Sequence, residues 1–294
     1  MESSRRSILF AAPAALALMA SAATADFNAP RISPNATITQ TLGVTDFKVT
    51  YSRPGVRGRT IWGDVVPYGK PWRTGANDAT TFTCSTEIVV NGQKLPAGTY
   101  SFFTIPGPSE WTIVFNKQKD LWGAFSYDST QDQLRVKAKA TASEMHEWME
   151  FAFEDLTPDG LPKSPGSGAL VLRWEKLAVP ITIETDMNKL VLESARAEMA
   201  KLKSDDWRTP FRAAQFCMDN EVSPDEGWQW AQKSVAMQEN YQNLSLVARY
   251  HAKAGRTKDA VAAGQKAVKI GKASKDKVDT SATEKLVAEW TAKK

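Results

Sequence analysis

The hydrophobic pattern of this chain changes its period once, near Asp186, and this change limits the possible folds more than any other feature. Between positions 36 and 185, short apolar runs alternate with polar residues, which is typical of strands with one solvated face. Beyond that point apolar residues recur every three or four positions, which predicts amphipathic helices. We therefore predict an α+β fold in two domains: an antiparallel, jelly-roll-like β-sandwich over residues 26–186, then an all-α domain of helical hairpins over residues 187–294.

The strand pattern includes two separate runs at 169–174 and 179–185, before which a Pro- and Gly-rich stretch predicts a long exposed loop at 156–168. Asn91 followed by Gly predicts a two-residue hairpin turn, because both residue types accept a positive φ. Pro224 is typical of a first helical turn.

Two glycines in the helical part, Gly255 and Gly271, are placed as helix ends. The small residues at Ala248, Gly255, Ala260 and Ala267 have the spacing of a tetratricopeptide helix–turn–helix, in which two antiparallel helices approach closely. Only one such unit matches well, so the pattern favours a stack of helical hairpins and a possible docking surface for a protein partner.

Residues 1–25 are typical of a cleaved export signal. Arg5 and Arg6 precede an apolar run too short to span a bilayer, and an Ala-Thr-Ala pattern predicts a mature start at Asp26. The paired arginines leave the twin-arginine route open beside the general one. We expect a periplasmic or secreted protein without an integral membrane segment, since no later apolar run reaches the ~20 residues of a membrane helix.

Charge and cysteine content give weaker constraints. Residues 187–294 carry 19 Lys and Arg against 14 Asp and Glu, mostly as lysines late in the chain. In an exported protein this excess favours a solvated helical face, so we predict no nucleic-acid partner. Cys84 and Cys217 lie in different predicted domains. A disulfide would need an intimate interface between them, so we favour two separate buried thiols.

One long connection, residues 53–78, combines arginines, large aromatics, glycines and prolines. Guanidinium groups bind carboxylates or phosphates, and indole and phenol faces suit sugar rings, so the connection is a candidate surface for a small-molecule or glycan ligand. The alternative is that the arginines hold the loop through carbonyl groups over a small core of tryptophans. The candidate ligand-binding residues are Arg53, Arg59, Trp62, Tyr68, Trp72, Arg73, Asn77 and Asn116.

The sequence contains few residues or motifs that indicate metal binding, cofactor binding or catalysis. The two histidines, His146 and His251, have no metal-ligand spacing, and the chain has no nucleophile elbow, phosphate loop or dinucleotide fingerprint. We therefore predict no metal and no cofactor. The candidates for a glycosidase-like pair of carboxylates are Asp128, Asp132, Glu147, Glu150, Glu154 and Asp155.

Several ordered motifs resemble the bacterial domain of unknown function 2911 family, over residues 36–186. They are YSRP at 51–54, GRTIWGDVVPYGKPWRTGANDAT at 58–80, LPAGTYSFFTIP at 95–106 and WTIVFN at 111–116, followed by Trp122-Gly123, Tyr127, Asp132 and LRV at 134–136. Asp78 stands where the resemblance leads us to expect Glu, and residues 230–272 resemble a helical extension of some members. The resemblance implies export and a β-rich domain, but no established reaction.

Three hypotheses follow. The first is an exported binding module with an Arg/Trp ligand surface and a partner-docking helical domain. The second is an enzyme acting on carbohydrate or cell-envelope material, in which acids between Asp128 and Glu154 would share a pocket with Arg73. The third is a purely structural protein, in which Trp62 and Trp72 are buried and every arginine is bonded internally.

Overall fold

The computed structural model describes residues 29–157, 166–275 and 278–292. The predicted signal at 1–25 and the central part of the predicted loop at 156–168 lie outside the described residues. Ten strands occur in the described part: β1 (Asn35–Leu42), β2 (Thr45–Ser52), β3 (Thr81–Cys84), β4 (Ile88–Val90), β5 (Gln93–Leu95), β6 (Gly98–Ile105), β7 (Glu110–Asn116), β8 (Asp132–Lys139), β9 (Thr141–Glu154) and β10 (Ser167–Glu184).

The strands form two antiparallel sheets, which confirms the predicted class of the N-terminal part. The larger has the order β1-β2-β3-β6-β7-β8 and the smaller β5-β4-β10-β9. The β4–β5 hairpin leaves the larger sheet after β3 and returns at β6. Its turn is the predicted one, since Asn91 and Gly92 have φ values of 43° and 79°.

The two sheets share one hydrophobic core. Alternate residues of β2, such as Phe47, Val49 and Tyr51, pack against residues of β10 and β9, including Leu172 and Phe151. Because successive side chains of a strand point to opposite faces, the intervening residues of β2 lie on the outer face of the larger sheet. This outer face carries the candidate site described below.

The prediction of two strands at 169–174 and 179–185 was wrong, because β10 is continuous over 18 residues. Its pairing with β9 shifts between Arg173 and Glu175 and again between Glu175 and Leu177. Glu175 has a φ of 55°, so the interruption of the hydrophobic pattern is a β-bulge within one strand.

Six helices follow in the described part of the chain, as the periodicity predicts, and they complete the α+β layout. They are α1 (Met187–Met199), α2 (Arg208–Asn220), α3 (Pro224–Met237), α4 (Tyr241–Lys253), α5 (Thr257–Ala273) and α6 (Ser281–Ala292). No described helix has the length and apolar character needed to cross a bilayer.

The two predicted helix-ending glycines behave differently. Gly255 follows α4 with a φ of 74° and ends the helix as predicted. Gly271 lies inside α5, so that prediction was wrong. A Cβ at Gly271 would lie 2.5 Å from Thr280 Cγ2 and 3.1 Å from Tyr241 Cδ2. The glycine therefore permits close packing of neighbouring segments and does not end the helix.

Cys84 and Cys217 are both free and buried. Cys84 belongs to the core of the β-sheets and Cys217 to a helical core with Trp230 and Tyr250. Burial raises the pKa of each thiol to about 11. Both side chains are therefore neutral near pH 7 and contribute to packing as small apolar groups.

Candidate functional site

Two of the predicted ligand-binding residues, Trp62 and Trp72, belong to a tryptophan cluster between the sheets, which also contains Trp111 and Trp174. Trp62 lies edge-on to Trp111, with ring centroids 4.9 Å apart and an interplanar angle of 65°, and to Trp174, at 5.7 Å and 82°. Trp72 stacks on Trp174 at 5.7 Å with an interplanar angle of 19°. Trp72 is buried and Trp62 half-buried, so these rings form a core below the long connection.

The indole N–H groups of Trp62, Trp111 and Trp174 have no hydrogen-bond partner among the described residues, whereas Trp72 donates to the carbonyl of Gly75 at 3.1 Å. An unpaired buried donor normally costs about 1–3 kcal/mol. Edge-to-face geometry offers partial compensation, because the edge of one indole meets the electron-rich face of another.

Arg53 and Arg59 hold the long connection in place. Arg53 donates through Nε to the carbonyl of Met149 at 2.8 Å and pairs with Glu150 at 3.1 Å. Arg59 donates to the carbonyls of Gly55 at 2.6 Å and Val56 at 3.1 Å. These contacts are the ones that the structural alternative requires.

Arg73 differs from both. Its Nε is buried without a hydrogen-bond partner among the described residues, and burial lowers the pKa of its guanidinium. Its backbone carbonyl accepts a hydrogen bond from Thr80 N at 3.1 Å. Arg73 therefore retains hydrogen-bonding capacity and lies beside the segment that forms one wall of the cleft described next.

The remaining predicted residues do not form one surface. Tyr68 is 42% exposed on the connection. Asn116 is fully buried, and its amide donates to the carbonyl of Asp128 at 2.9 Å and to Asp132 Oδ1 at 2.7 Å. Asn77 donates to Ser52 Oγ at 3.2 Å, and Ser52 lines a cleft on the outer face of the larger sheet.

This cleft, which we call the Asp78–Asp120 cleft, has a volume of about 310 Å³. Its floor is the outward face of β1, β2 and β3, and segments 78–79 and 120–121 form its walls. The lining carries hydroxyl, amide and carboxylate groups and, among the described residues, no cation. Its polar side chains include Asn35, Thr50, Ser52, Asp78, Thr81 and Asp120.

A neighbouring segment, residues 117–131, is termed here the aromatic loop. It places Trp122 and Phe125 at the surface, with 59% and 88% of their areas exposed. Two backbone hydrogen bonds fix this part of the loop, from Ala79 N to the Leu121 carbonyl at 2.8 Å and from Gly123 N to the Asn77 carbonyl at 3.1 Å. Trp122 is thereby paired directly opposite Asp78, one of the cleft residues.

The base of the aromatic loop is held by buried contacts. Leu121, Ala124 and Tyr127 pack against a small apolar cluster on the outer sheet face. Tyr127 donates to Asp132 Oδ2 at 2.7 Å, and burial together with this bond raises the pKa of its hydroxyl to about 12. The loop is therefore ordered before any ligand arrives, and its exposed aromatic rings have a fixed position.

None of the acids proposed for catalysis lines the cleft, and several of them have partners elsewhere. Glu150 contacts both Arg53 and His146, the latter at 3.1 Å from Nδ1. Glu154 forms a two-point ion pair with Arg173, which lowers the pKa of Glu154. The described residues contain no group of three or more potential metal ligands.

The helical part has a second cavity, the helical pocket, of about 490 Å³ between α2, α3 and α4. Met218, Trp228 and Tyr250 line it. Arg256 lies over the Trp228 ring at 4.9 Å from its centroid. His251 packs against the same ring with the two centroids 5.0 Å apart.

These features define a class: a β domain of two antiparallel sheets followed by α-helical hairpins. The chain belongs to the family described as proteins of unknown function (DUF2911), whose model matches residues 33–183. The match spans both sheets almost completely and confirms the family resemblance. No curated protein and no solved structure matches the chain.

The sequence analysis did not select Trp122, Asp120 or Phe125 as site residues. The sequence signal that could have identified this loop is the presence of three aromatic residues, Trp122, Phe125 and Tyr127, in a short segment that lacks the alternation of a strand. Aromatics without alternation have no obvious buried face, and this distinguishes them from Trp111 within β7.

Proposed function

We propose that this protein is an exported ligand-binding module whose β domain binds a small molecule in the Asp78–Asp120 cleft. The proposal depends on one observation: the exposed residue Trp122 is paired through its backbone with Asp78, which lines this polar cleft. A pre-ordered site loses little conformational freedom on binding, and a large exposed aromatic beside a cleft is typical of a contact surface. The volume lies at the lower end of the range for small-molecule sites.

Binding is better supported than catalysis by the arrangement of acids. Asp78 and Asp120 line the cleft, but on β9 Glu150 pairs with Arg53 and His146, and Glu154 pairs with Arg173. Arg73 is not among the residues that line the cleft. Its backbone carbonyl accepts a hydrogen bond from Thr80 N, which directly follows the wall segment 78–79.

Thermal unfolding of the full chain against metals, amines, organic acids and glycans tests the proposal. A ligand present at ~100 times its dissociation constant stabilises a protein by about 2.7 kcal/mol, which gives a clear shift. We expect at least one shift in this panel that disappears in the double variant Asp78→Asn/Asp120→Asn. A shift retained by that variant places the ligand elsewhere and rejects the cleft as the site.

The export part of the proposal is supported by the sequence of residues 1–25 alone. Mass spectrometry of the protein from the periplasm or medium is expected to give an N-terminus at Asp26. An uncleaved protein retained in the cytoplasm would reject export.

A second proposed function is docking of a protein partner at the helical pocket. The favouring observation is a cavity lined in part by Met218, Trp228 and Tyr250, in which both Arg256 and His251 contact the Trp228 ring. Peptides selected by display on the full chain should lose binding in Trp228→Ala. Binders that are indifferent to this substitution would place the partner on another surface.

A further inference from the structure

We propose that two copies of this protein associate through β1, paired antiparallel across a two-fold axis, so that their larger sheets join into one continuous sheet. The proposal does not depend on the function proposed above. It comes from a comparison of the four strands at the ends of the two sheets, β1, β8, β5 and β9. A strand at the edge of a sheet has unpaired backbone N–H and C=O groups on its outer side, and these can bind another strand unless the edge is protected.

Two of these edges are short or covered. β5 has three residues, and very short edge strands offer little for another chain to pair with. β9 is long, but residues of the connection at 53–78 bind its backbone. Val56 N donates to the Glu147 carbonyl at 2.8 Å, and Met149 N donates to the Pro54 carbonyl at 3.0 Å. The backbone groups of β9 beside the connection are therefore already in use.

The third edge, β8, is protected by its side chains and by a bond to its backbone. Its exposed positions include Arg135, Lys137 and Lys139. The side-chain amide of Asn91 donates to the Lys137 carbonyl at 2.7 Å. Charged residues on an edge strand, lysine above all, and coverage of its backbone groups are both means by which natural proteins prevent pairing between sheets. β8 is therefore poorly suited to bind a further strand.

β1 has none of these protections within the described part of the chain. Its eight residues, Asn35–Leu42, include no charged residue and no proline. Its pairing with β2 runs from end to end without a register shift, so no bulge turns the edge away. Threonine and isoleucine make up half of the strand, and both residue types favour extended backbone. β1 is thus a long, regular and uncharged edge.

The ladder with β2 shows which backbone groups of β1 point outward. Arg53 N donates to the Pro34 carbonyl at 2.9 Å, and bonded pairs alternate along an antiparallel ladder, so Ile38 is one of the residues bonded to β2. The N–H and C=O groups of Thr37 and Thr39 therefore point to the open side. No segment among the described residues pairs with β1 on that side.

A second copy of β1 matches this edge. With Ile38 opposite the partner's Ile38, the two half-buried side chains cover each other, which extends the core along the joined sheet. Thr37 then lies opposite the partner's Thr39 on the solvated face, and cross-strand threonine pairs stabilise sheets. No charged side chain of β1 opposes the pairing. One added strand buries less surface than a standard interface, so we expect a weak dimer with a dissociation constant in the micromolar range.

The test is sedimentation equilibrium of the full chain at concentrations from about 5 μM to about 500 μM, a range that brackets micromolar dissociation constants. We expect the average mass to rise from that of one chain toward that of two. Thr39→Lys places two like charges near each other across the two-fold axis, so association should weaken about tenfold. The double variant Thr37→Glu/Thr39→Lys places each lysine opposite a glutamate of the partner and should restore association to at least the wild-type level.

The matched control is Gln133→Lys, which adds the same charge at an exposed position of β8, the opposite edge of the same sheet, and should leave association unchanged. Denaturation curves at the lowest concentration exclude loss of fold in each variant. A single-chain mass at every concentration would overturn the proposal, as would a dimer that Thr39→Lys leaves intact or Gln133→Lys disrupts. Failure of the double variant to associate would reject the register centred on Ile38, and with it the proposed pairing.

Discussion

The tryptophan cluster and the aromatic loop are both rich in aromatic residues, yet they differ in burial and in support. Trp111 and Trp174 in the cluster are 0% and 1% exposed, whereas Trp122 and Phe125 in the loop are 59% and 88% exposed. The cluster lies between the sheets and joins them. The loop is held by its backbone and its buried base, while its largest side chains are left in solvent.

This difference shows that aromatic density in a sequence does not by itself identify a recognition surface. The connection at 53–78 has many aromatics because it closes the core between the sheets. Its arginines Arg53 and Arg59 donate hydrogen bonds to backbone carbonyl groups. In the aromatic loop Trp122 and Phe125 are left largely exposed. The firm placement of this loop beside a polar cleft therefore makes it the better candidate for recognition.

The largest expected effect is in the cluster. Trp111→Ala removes a fully buried indole that contacts Trp62 and Trp72, so we expect a loss of about 3–5 kcal/mol in unfolding free energy, measured by urea denaturation. Trp111→Phe should cost clearly less, because it keeps a ring and removes a buried N–H that has no partner among the described residues. Equal stability of Trp111→Ala and wild type would show that the cluster is not part of the core.

The fold was largely predictable because it depends on periodicity. The strand alternation and the six helical segments both follow from the spacing of apolar residues, and Asn91-Gly92 follows from turn chemistry. The bulge in β10 and the internal Gly271 were not predictable, because each depends on a neighbour distant in sequence. The cleft was missed for the same reason, since Asp78 and Asp120 meet only through pairing of two loops.

Asn116 connects the two regions, because it lies in the sheet and supports the aromatic loop. Asn116→Ala removes its bonds to the Asp128 carbonyl and to Asp132, leaving buried acceptors with fewer partners. We expect a loss of about 1–3 kcal/mol in unfolding free energy and a weaker ligand affinity at the cleft. Gln131→Ala, an exposed position at the end of the same loop, serves as the control and should change neither quantity. If Asn116→Ala destabilises the protein but leaves the ligand affinity of the cleft unchanged, the base of the loop has no role in ligand recognition.

A smaller, pH-dependent effect is expected at Glu154. Arg173 lowers the pKa of this carboxyl from its ordinary value of 4.5, so the ion pair stabilises the fold above that pH and is lost as pH falls through the lowered pKa. Glu154 is 36% exposed, and solvent screening should limit the contribution to less than about 1 kcal/mol. The stability difference between wild type and Glu154→Gln should shrink between pH 7 and pH 3. In an Arg173→Gln background, which lacks the cation of the pair, Glu154→Gln should show no such trend.

The smallest expected effect on stability is at Phe125, and it gives the sharpest contrast with the cluster. Phe125→Ser changes a side chain that is 88% exposed, so the unfolding free energy should change by no more than about 0.5 kcal/mol. The contrasting substitution is Phe103→Ser, since Phe103 is fully buried below the same loop against Tyr127 and should lose several kcal/mol. A comparable loss in both variants would mean that Phe125 is covered by other parts of the protein in solution, and the aromatic loop would then be a packing element like the tryptophan cluster.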